Sequence, residues 1–182
     1  MNLWHDIPLG PNPPDLINIV IEIPSNTRNK YELAKDTGVF FVDRVLSSAL
    51  HYPADYGLIP NTFYEDGDPL DALVLIKEPT FTGCVVTARP IGIFKMFDGD
   101  LPDDKILAVL DNDPLYAHYC KLDDVPEHEL REIAHFFEHY KDLEGKRVKG
   151  VGWEDETVAK EQIQHAHELY LEKFGRPSGA NQ

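Results

Sequence analysis

The chain has 182 residues, 42% hydrophobic and 27% charged, the balance of an ordinary soluble globular protein with enough length for a substantial core. Seventeen Lys and Arg against 32 Asp and Glu leave a net charge of −15, the wrong sign for a polyanion-binding surface, so nucleic acid is not expected as a partner. No apolar run approaches a membrane span, and the N-terminus lacks a basic leader, so neither membrane insertion nor secretion is expected.

Along the chain, residues 1–15, with Pro8, Pro11, Pro13 and Pro14, read as an extended arm on a single domain spanning 1–182. Short β-rich runs follow at Ile17–Ile23, Val39–Val45, Leu73–Lys77, Gly83–Ala88, Ile91–Phe97 and Ile106–Leu110. Turn signals separate them, which predicts a small antiparallel barrel or sandwich. The last third changes period. Over 126–141, Leu130, Ile133, Ala134 and Phe137 recur at the spacing of one helical face, with Asp124 as N-cap and Pro126 in the first turn. A second helix is predicted over 157–174, stopped by Gly175 and Pro177. Two helices therefore flank a mostly β body. Cys84 and Cys120 form no CxxC pair, so free thiols and a cytoplasmic location are expected.

The densest chemistry lies in Asp66-Gly67-Asp68-Pro69-Leu70-Asp71. Three carboxylates share one turn-prone hexapeptide, and like charges that close repel unless something positive sits among them. Hard carboxylate oxygens suit Mg²⁺, Mn²⁺ or Ca²⁺. Ala72-Leu73-Val74-Leu75-Ile76 follows as a buried strand, which puts the acidic turn at the mouth of the core. Taken alone, the hexapeptide is explained equally well as a solvated Asp/Gly/Pro turn. An EF-hand loop does not explain it: the sixth and twelfth positions from Asp66 hold Asp71 and Lys77 in place of Gly and Glu.

A second acidic stretch, Asp98-Gly99-Asp100-Leu101-Pro102-Asp103-Asp104-Lys105, repeats the theme. Two such loops, each beside a strand, favour a shared metal site over two solvated loops. Other charges sit at strand edges: Glu22 between Ile21 and Ile23, Lys30-Tyr31-Glu32, and Asp43-Arg44. Each is equally readable as a solvent-facing strand residue. Tyr52 and Tyr56 bracket the Pro53-Ala54-Asp55 turn; tyrosines so placed are usually packing residues, but their hydroxyls can donate to an anion.

Taken together, these segments resemble the soluble family I inorganic pyrophosphatases of prokaryotic type. The likeness runs through I-E-I-P (Ile21–Pro24), N-K-Y-E (Asn29–Glu32), F-V-D-R (Phe41–Arg44), Y-P-A-D-Y-G (Tyr52–Gly57), D-G-D-P-L-D-A (Asp66–Ala72), G-I-F-K-M (Gly92–Met96) and A-H-F-F-E-H-Y-K (Ala134–Lys141). The resemblance implies a five-stranded OB-type barrel with flanking helices and the metal-dependent hydrolysis of pyrophosphate to two orthophosphates. It implies metal-holding roles for Asp66, Asp71, Asp98 and Asp103, with several Mg²⁺ per site and Mn²⁺ as a possible substitute. For Asp68 it implies the general base at the attacking water. Lys30, Arg44, Tyr56, Lys105, Tyr140 and Lys141, with Tyr52 close by, match positions that hold the phosphates. Glu22 and Glu32 match further polar residues of the same cavity.

Two other classes are open to these residues. A divalent-ion store accounts for the acidic loops but not for the cations and tyrosines interleaved with them. An OB-type nucleic-acid module has only fold class in its favour. For assembly, the resemblance implies a homohexamer built from trimers. His128, His135 and His139 fall on one face of the first helix, opposite its apolar stripe, and are expected at a subunit contact. A solvated face or a helical His-x₃-His zinc site are the alternatives, the latter without an acidic or Cys partner evident nearby in sequence.

Overall fold

In a computed structural model of the chain, residues 1–175 are described. The elements are β1 (Ile17–Ile23), β2 (Asn29–Leu33), β3 (Phe40–Val45), β4 (Asp55–Leu58), β5 (Asp71–Leu75), β6 (Val85–Asp98), β7 (Leu101–Pro102), β8 (Lys105–Leu110), α1 (Glu127–His139), β9 (Val148–Asp155) and α2 (Glu156–Phe174). β1 pairs with β4, β4 with β5, β5 with β8, β8 with β6, and β6 returns to β1. Five strands thus close on themselves as an OB-type barrel, which removes their exposed edges. Of these pairings only β5 with β8 is parallel, and there Asp71 lies opposite Lys105. β7 and β9 add to β6 outside the ring, and β2 with β3 forms a separate ribbon.

Both faces of the barrel wall are buried. Ile17, Ile19, Ile21, Ala72, Val74, Ile106 and Ala108 gather with Ala159, Ile163 and Ala166 of α2. The alternate residues Leu73, Leu75, Leu107 and Val109 gather with Tyr56, Phe94, Met96 and, from α1, Ile133, Phe136 and Phe137. That alternation is the period of a pleated strand, and burial on both faces makes β5 and β8 continuous apolar runs. Each fully buried aliphatic side chain stabilises the fold by roughly 1.5–3 kcal/mol. By the same parity, Asp71 and Lys105 open the face that α1 covers.

Several expectations change here. Residues 1–15 do not form a simple extended arm: His5 N and Asp6 N both donate to Asn2 O in a turn, at 3.1 and 2.8 Å. Trp4 is buried beside Leu33, Leu58 and Tyr170, and that apolar contact is what draws the segment in. Gly83–Ala88 and Ile91–Phe97 are not two strands but parts of β6, which carries an irregularity between Pro90 and Gly92 where proline lacks a ladder donor. Val39–Val45 contributes β3 to the ribbon, not to the barrel. Asp124 does not cap α1. Its carboxylate accepts from Cys120 N and Lys121 N at 2.8 and 3.0 Å, around a short 3-10 turn, and Pro126 occupies the N-cap. Asp155 caps α2, accepting from Thr157 N and Val158 N, and Gly175 ends the helix at φ 77°. Pro177, read as a second stop, lies outside the described residues.

Candidate active site

The hexapeptide turn hangs between β4 and β5. Tyr64 N donates to Asp68 O at 2.7 Å, Gly67 N donates to Tyr64 O at 3.0 Å, and Asp68 N donates to Asp66 Oδ1 at 3.0 Å. Gly67 sits at φ 92°, a conformation costly for any residue with a Cβ. The turn therefore presents Asp66 and Asp68 outward and delivers Asp71 as the first residue of β5. The second loop is the β6–β7 hairpin and its exit. Asp98 pairs with Leu101 across the turn, and Asp103 N donates to Met96 O at 3.0 Å.

Both loops open on one cavity of about 240 Å³. Its walls carry Asp66, Asp68 and Asp71 from the first loop, Asp98 and Asp103 from the second, and Lys30, Lys105 and Lys141 between them. Tyr52, Tyr56 and Tyr140 complete it, Tyr140 held in place by stacking on Phe136 with ring centroids 5.1 Å apart. A smaller cavity of about 140 Å³ adjoins this one through Lys30, Tyr56, Asp68 and Asp71 and brings in Glu22 and Glu32. Arg44 lines neither. It faces Lys30 across the ribbon and is held by Asp43 and by Glu144 Oε1, 3.1 Å from its Nε.

Lys105 is 1% exposed, with Nζ 2.7 Å from Asp71 Oδ2 and in contact with Asp103. Burial opposes its charge, but Asp71 and Asp103 outweigh burial and hold the ammonium above its ordinary range. The Tyr56 hydroxyl donates to the same Asp71 oxygen, and burial together with Asp71 pushes its phenol well up. Lys141 donates to Asp98; burial works against that charge, and Tyr140 and Asp98 more than restore it. For two carboxyl groups the surroundings favour the neutral form instead. Burial and the charges of Asp71 and Asp103 raise Asp66 to about 6. Burial, then Asp71, raises Glu22 to about 8, although its Oε1 accepts from Leu33 N at 2.8 Å.

The cavity is thus short of positive charge. Asp71, Asp98, Asp103, Asp68 and Asp66 each have one oxygen committed, to Lys105, Lys141, Lys105, Lys35 and Asp68 N respectively. Among the described residues the second oxygen of each makes no hydrogen bond, so hard donors for a divalent cation remain on both loops. No three of them already form a compact metal cage among the described residues. The donor set fits Mg²⁺-type ions, with the lysines sharing the carboxylates.

Three residues of this region carried no expectation from sequence. Lys35 pairs with Asp68. Tyr64 and Lys95 converge on Asp104, each 2.6 Å from its Oδ2. Asp104 was visible in the second acidic stretch, and strand alternation would have placed it on the face opposite Asp103 and Lys105. The expectation that the α1 histidines lack an acidic partner nearby in sequence does not hold: His139 Nδ1 lies 2.9 Å from Asp142 Oδ2, three residues on, and His128 Nε2 lies 3.6 Å from Glu132 Oε1, four residues on.

The inorganic pyrophosphatase family model matches residues 19–171. An inorganic pyrophosphatase of Haloferax volcanii is 51% identical over 175 residues, covering 96% of this chain and 99% of that one. Another, of Nostoc sp., is 52% identical over 164 residues, covering 90% and 96%. The crystal structure of inorganic pyrophosphatase from Thermus thermophilus superposes with a TM-score of 0.88 at 42% identity, covering 92% of this chain and 98% of that one. No helix among the described residues is long and apolar enough to cross a membrane. With a barrel, two acidic loops and relatives half identical to it across nearly their full length, the chain belongs to the inorganic pyrophosphatase family.

Proposed function

We propose that the chain hydrolyses inorganic pyrophosphate to two orthophosphates with divalent cations held between its two acidic loops. The hydrolysis follows from family membership. The division of labour rests on one observation: aspartates of both loops and the ammonium groups of Lys30, Lys105 and Lys141 line the same cavity. A cation store has no use for lysines among its ligands, whereas a site for a metal-bound polyanion needs both signs.

Asp66, Asp71, Asp98 and Asp103 hold the ions, with Mg²⁺ as the resident metal and Mn²⁺ able to replace it. Bound there, such ions polarise the phosphoryl oxygens and acidify a water molecule. Asp68, half exposed on its turn, accepts the proton of the attacking water. Lys30, Lys105 and Lys141 receive the phosphate oxygens, with Tyr56 and Tyr140 as hydroxyl donors. Arg44 stands outside the cavity wall, held by Asp43 and Glu144, so its share in binding falls to a phosphate that extends past Lys30 toward the ribbon. Tyr52 packs on Phe136 at 4.7 Å and on Tyr56 at 5.5 Å, which fixes the tyrosine wall. Glu32 orients Lys30, and Glu22 forms the polar floor. Phosphate release from pyrophosphate, measured with Mg²⁺ and after chelation, is the test. Release only with metal, and little from phosphomonoesters, is expected; metal-loaded protein that releases none overturns the reading.

The same proposal extends to a cytoplasmic homohexamer. It is supported by the exposed face of α1 that carries His128, His135 and His139, the last two with ring centroids 4.4 Å apart. Light scattering should show a hexamer, and His135→Gln should weaken it. A monomer removes the assembly while leaving the enzyme.

A further inference from the structure

The two acidic loops are tied to each other twice. In front, within the cavity, Lys105 bridges Asp71 and Asp103. Behind it lies a second tie that touches none of the cavity's carboxylates. Tyr64, buried in the cluster of Ile17 and Ile106, closes the first loop with its own backbone. Its hydroxyl crosses to the second loop and donates to Asp104 Oδ2 at 2.6 Å. Asp104 is 4% exposed and turns away from the cavity, between Asp103 and Lys105 in sequence. Its other oxygen accepts from Met96 N at 3.2 Å, while Met96 O accepts from Asp103 N at 3.0 Å. Lys95 Nζ neutralises Asp104 at 2.6 Å and reaches Gln162 Oε1 of α2 at 3.2 Å.

We infer that Tyr64 and Asp104 are positioning residues that set the distance between the two acidic loops, and thereby the geometry in which their carboxylates receive divalent cations. The physical need is plain. Asp66, Asp71 and Asp103 repel one another, and any entering cation competes with Lys105 for the carboxylates of the front tie. The rear tie faces no such competition. A hydroxyl donating to a buried, hydrogen-bonded carboxylate is a strong and directional strut. Groups that orient metal-holding side chains without touching the ion characteristically govern metal affinity. The inference rests on the metal-holding roles proposed above for Asp66, Asp71 and Asp103.

Full-length Tyr64→Phe, Asp104→Asn and the double variant test it. Tyr64→Phe keeps the ring in its apolar site and removes only the hydroxyl, so it reports even where Asp104→Asn fails to fold. Three readouts are compared with the wild type: Mn²⁺ affinity by calorimetry, unfolding of the metal-free protein, and kcat with KM for magnesium pyrophosphate. Tyr64→Phe should weaken Mn²⁺ binding and lower kcat by about 10-fold, the low end of what ligand-orienting partners cost, with KM little changed. The losses should be less than additive in the double variant, because Asp104→Asn weakens the same strut that Tyr64→Phe removes. A Tyr64→Phe protein that unfolds earlier yet binds Mn²⁺ and turns over like the wild type reduces the contact to a structural one and overturns the inference. So do losses that simply add in the double variant. A wild type that binds Mn²⁺ tightly but releases no phosphate defeats the assigned reaction and leaves the affinity comparison standing.

Discussion

Asp71 and Lys105 stand opposite one another at the first rung of the only parallel strand pair in the barrel, with Nζ 2.7 Å from Oδ2. In parallel strands both N-terminal ends lie at one side, so a carboxylate and an ammonium that each open a strand must meet there. The ammonium is almost wholly buried and serves Asp103 as well. One lysine thus ties the two acidic loops together.

Lys105→Met should therefore leave Asp71 and Asp103 uncompensated. Removing one partner of a buried ion pair costs about 3–5 kcal/mol. In chelator the variant should lose stability on that scale, and saturating Mg²⁺ should recover much of it because the cation takes over the carboxylates. Urea unfolding under both conditions decides the matter, and an equal loss in each contradicts the shared-carboxylate account.

Asp68→Asn and Asp71→Asn should separate chemistry from metal binding. Asp68 is half exposed and, among the described residues, its carboxylate pairs only with Lys35, so its amide should preserve the fold and most metal affinity. Turnover should fall by about 10²–10⁴-fold, the usual contribution of a general base. Asp71→Asn removes the charge that faces Lys105 and should weaken Mn²⁺ binding visibly in calorimetry. Equal metal loss in the two variants would erase the division of roles.

Metal affinity should depend on pH through Asp66. Its carboxyl is raised to about 6 by burial and by Asp71 and Asp103, so below that pH a proton occupies the position a cation needs. Mn²⁺ affinity should fall as pH drops through about 6, with proton release on binding. Asp66→Asn should bind more weakly at neutral pH and lose this dependence. Titrations in buffers of different ionisation enthalpy count the protons directly.

Glu22 makes the opposite demand on the metal-free fold. Its carboxyl is raised from 4.5 to about 8, so the folded state holds a proton that the unfolded state gives up across that window. The associated stability is complete below pH 4.5 and is lost progressively as pH rises through about 8. Glu22→Gln keeps an acceptor for Leu33 N without the buried charge. In chelator it should become more stable than the wild type as pH rises. The gain should reach a few kcal/mol at most, since each tenfold change in proton affinity is worth about 1.4 kcal/mol. Parallel unfolding curves at every pH would show that Glu22 is not held in its protonated form.

The local chemistry was fully present in the one-dimensional pattern. Asp66, Gly67, Asp68 and Asp71 announce a turn crowded with charge, and Leu73–Leu75 and Ile106–Val109 announce a buried wall, because side-chain type and strand period act over a few residues. The periodic apolar face of α1 was legible for the same reason, and Gly175 marked the end of α2. Polar or short strands were not: Asn29–Leu33, Asp55–Leu58 and Val148–Asp155 owe their extended form to partners far along the chain, which no local period records. Nor could sequence place Arg44 outside the cavity wall, bring Lys35 to Asp68, or bring Tyr64 to Asp104, 40 residues away. Residue type set which charges the site would contain. Barrel closure, by choosing strand partners and the face each side chain takes, decided which of those charges neutralise one another and which remain for a cation.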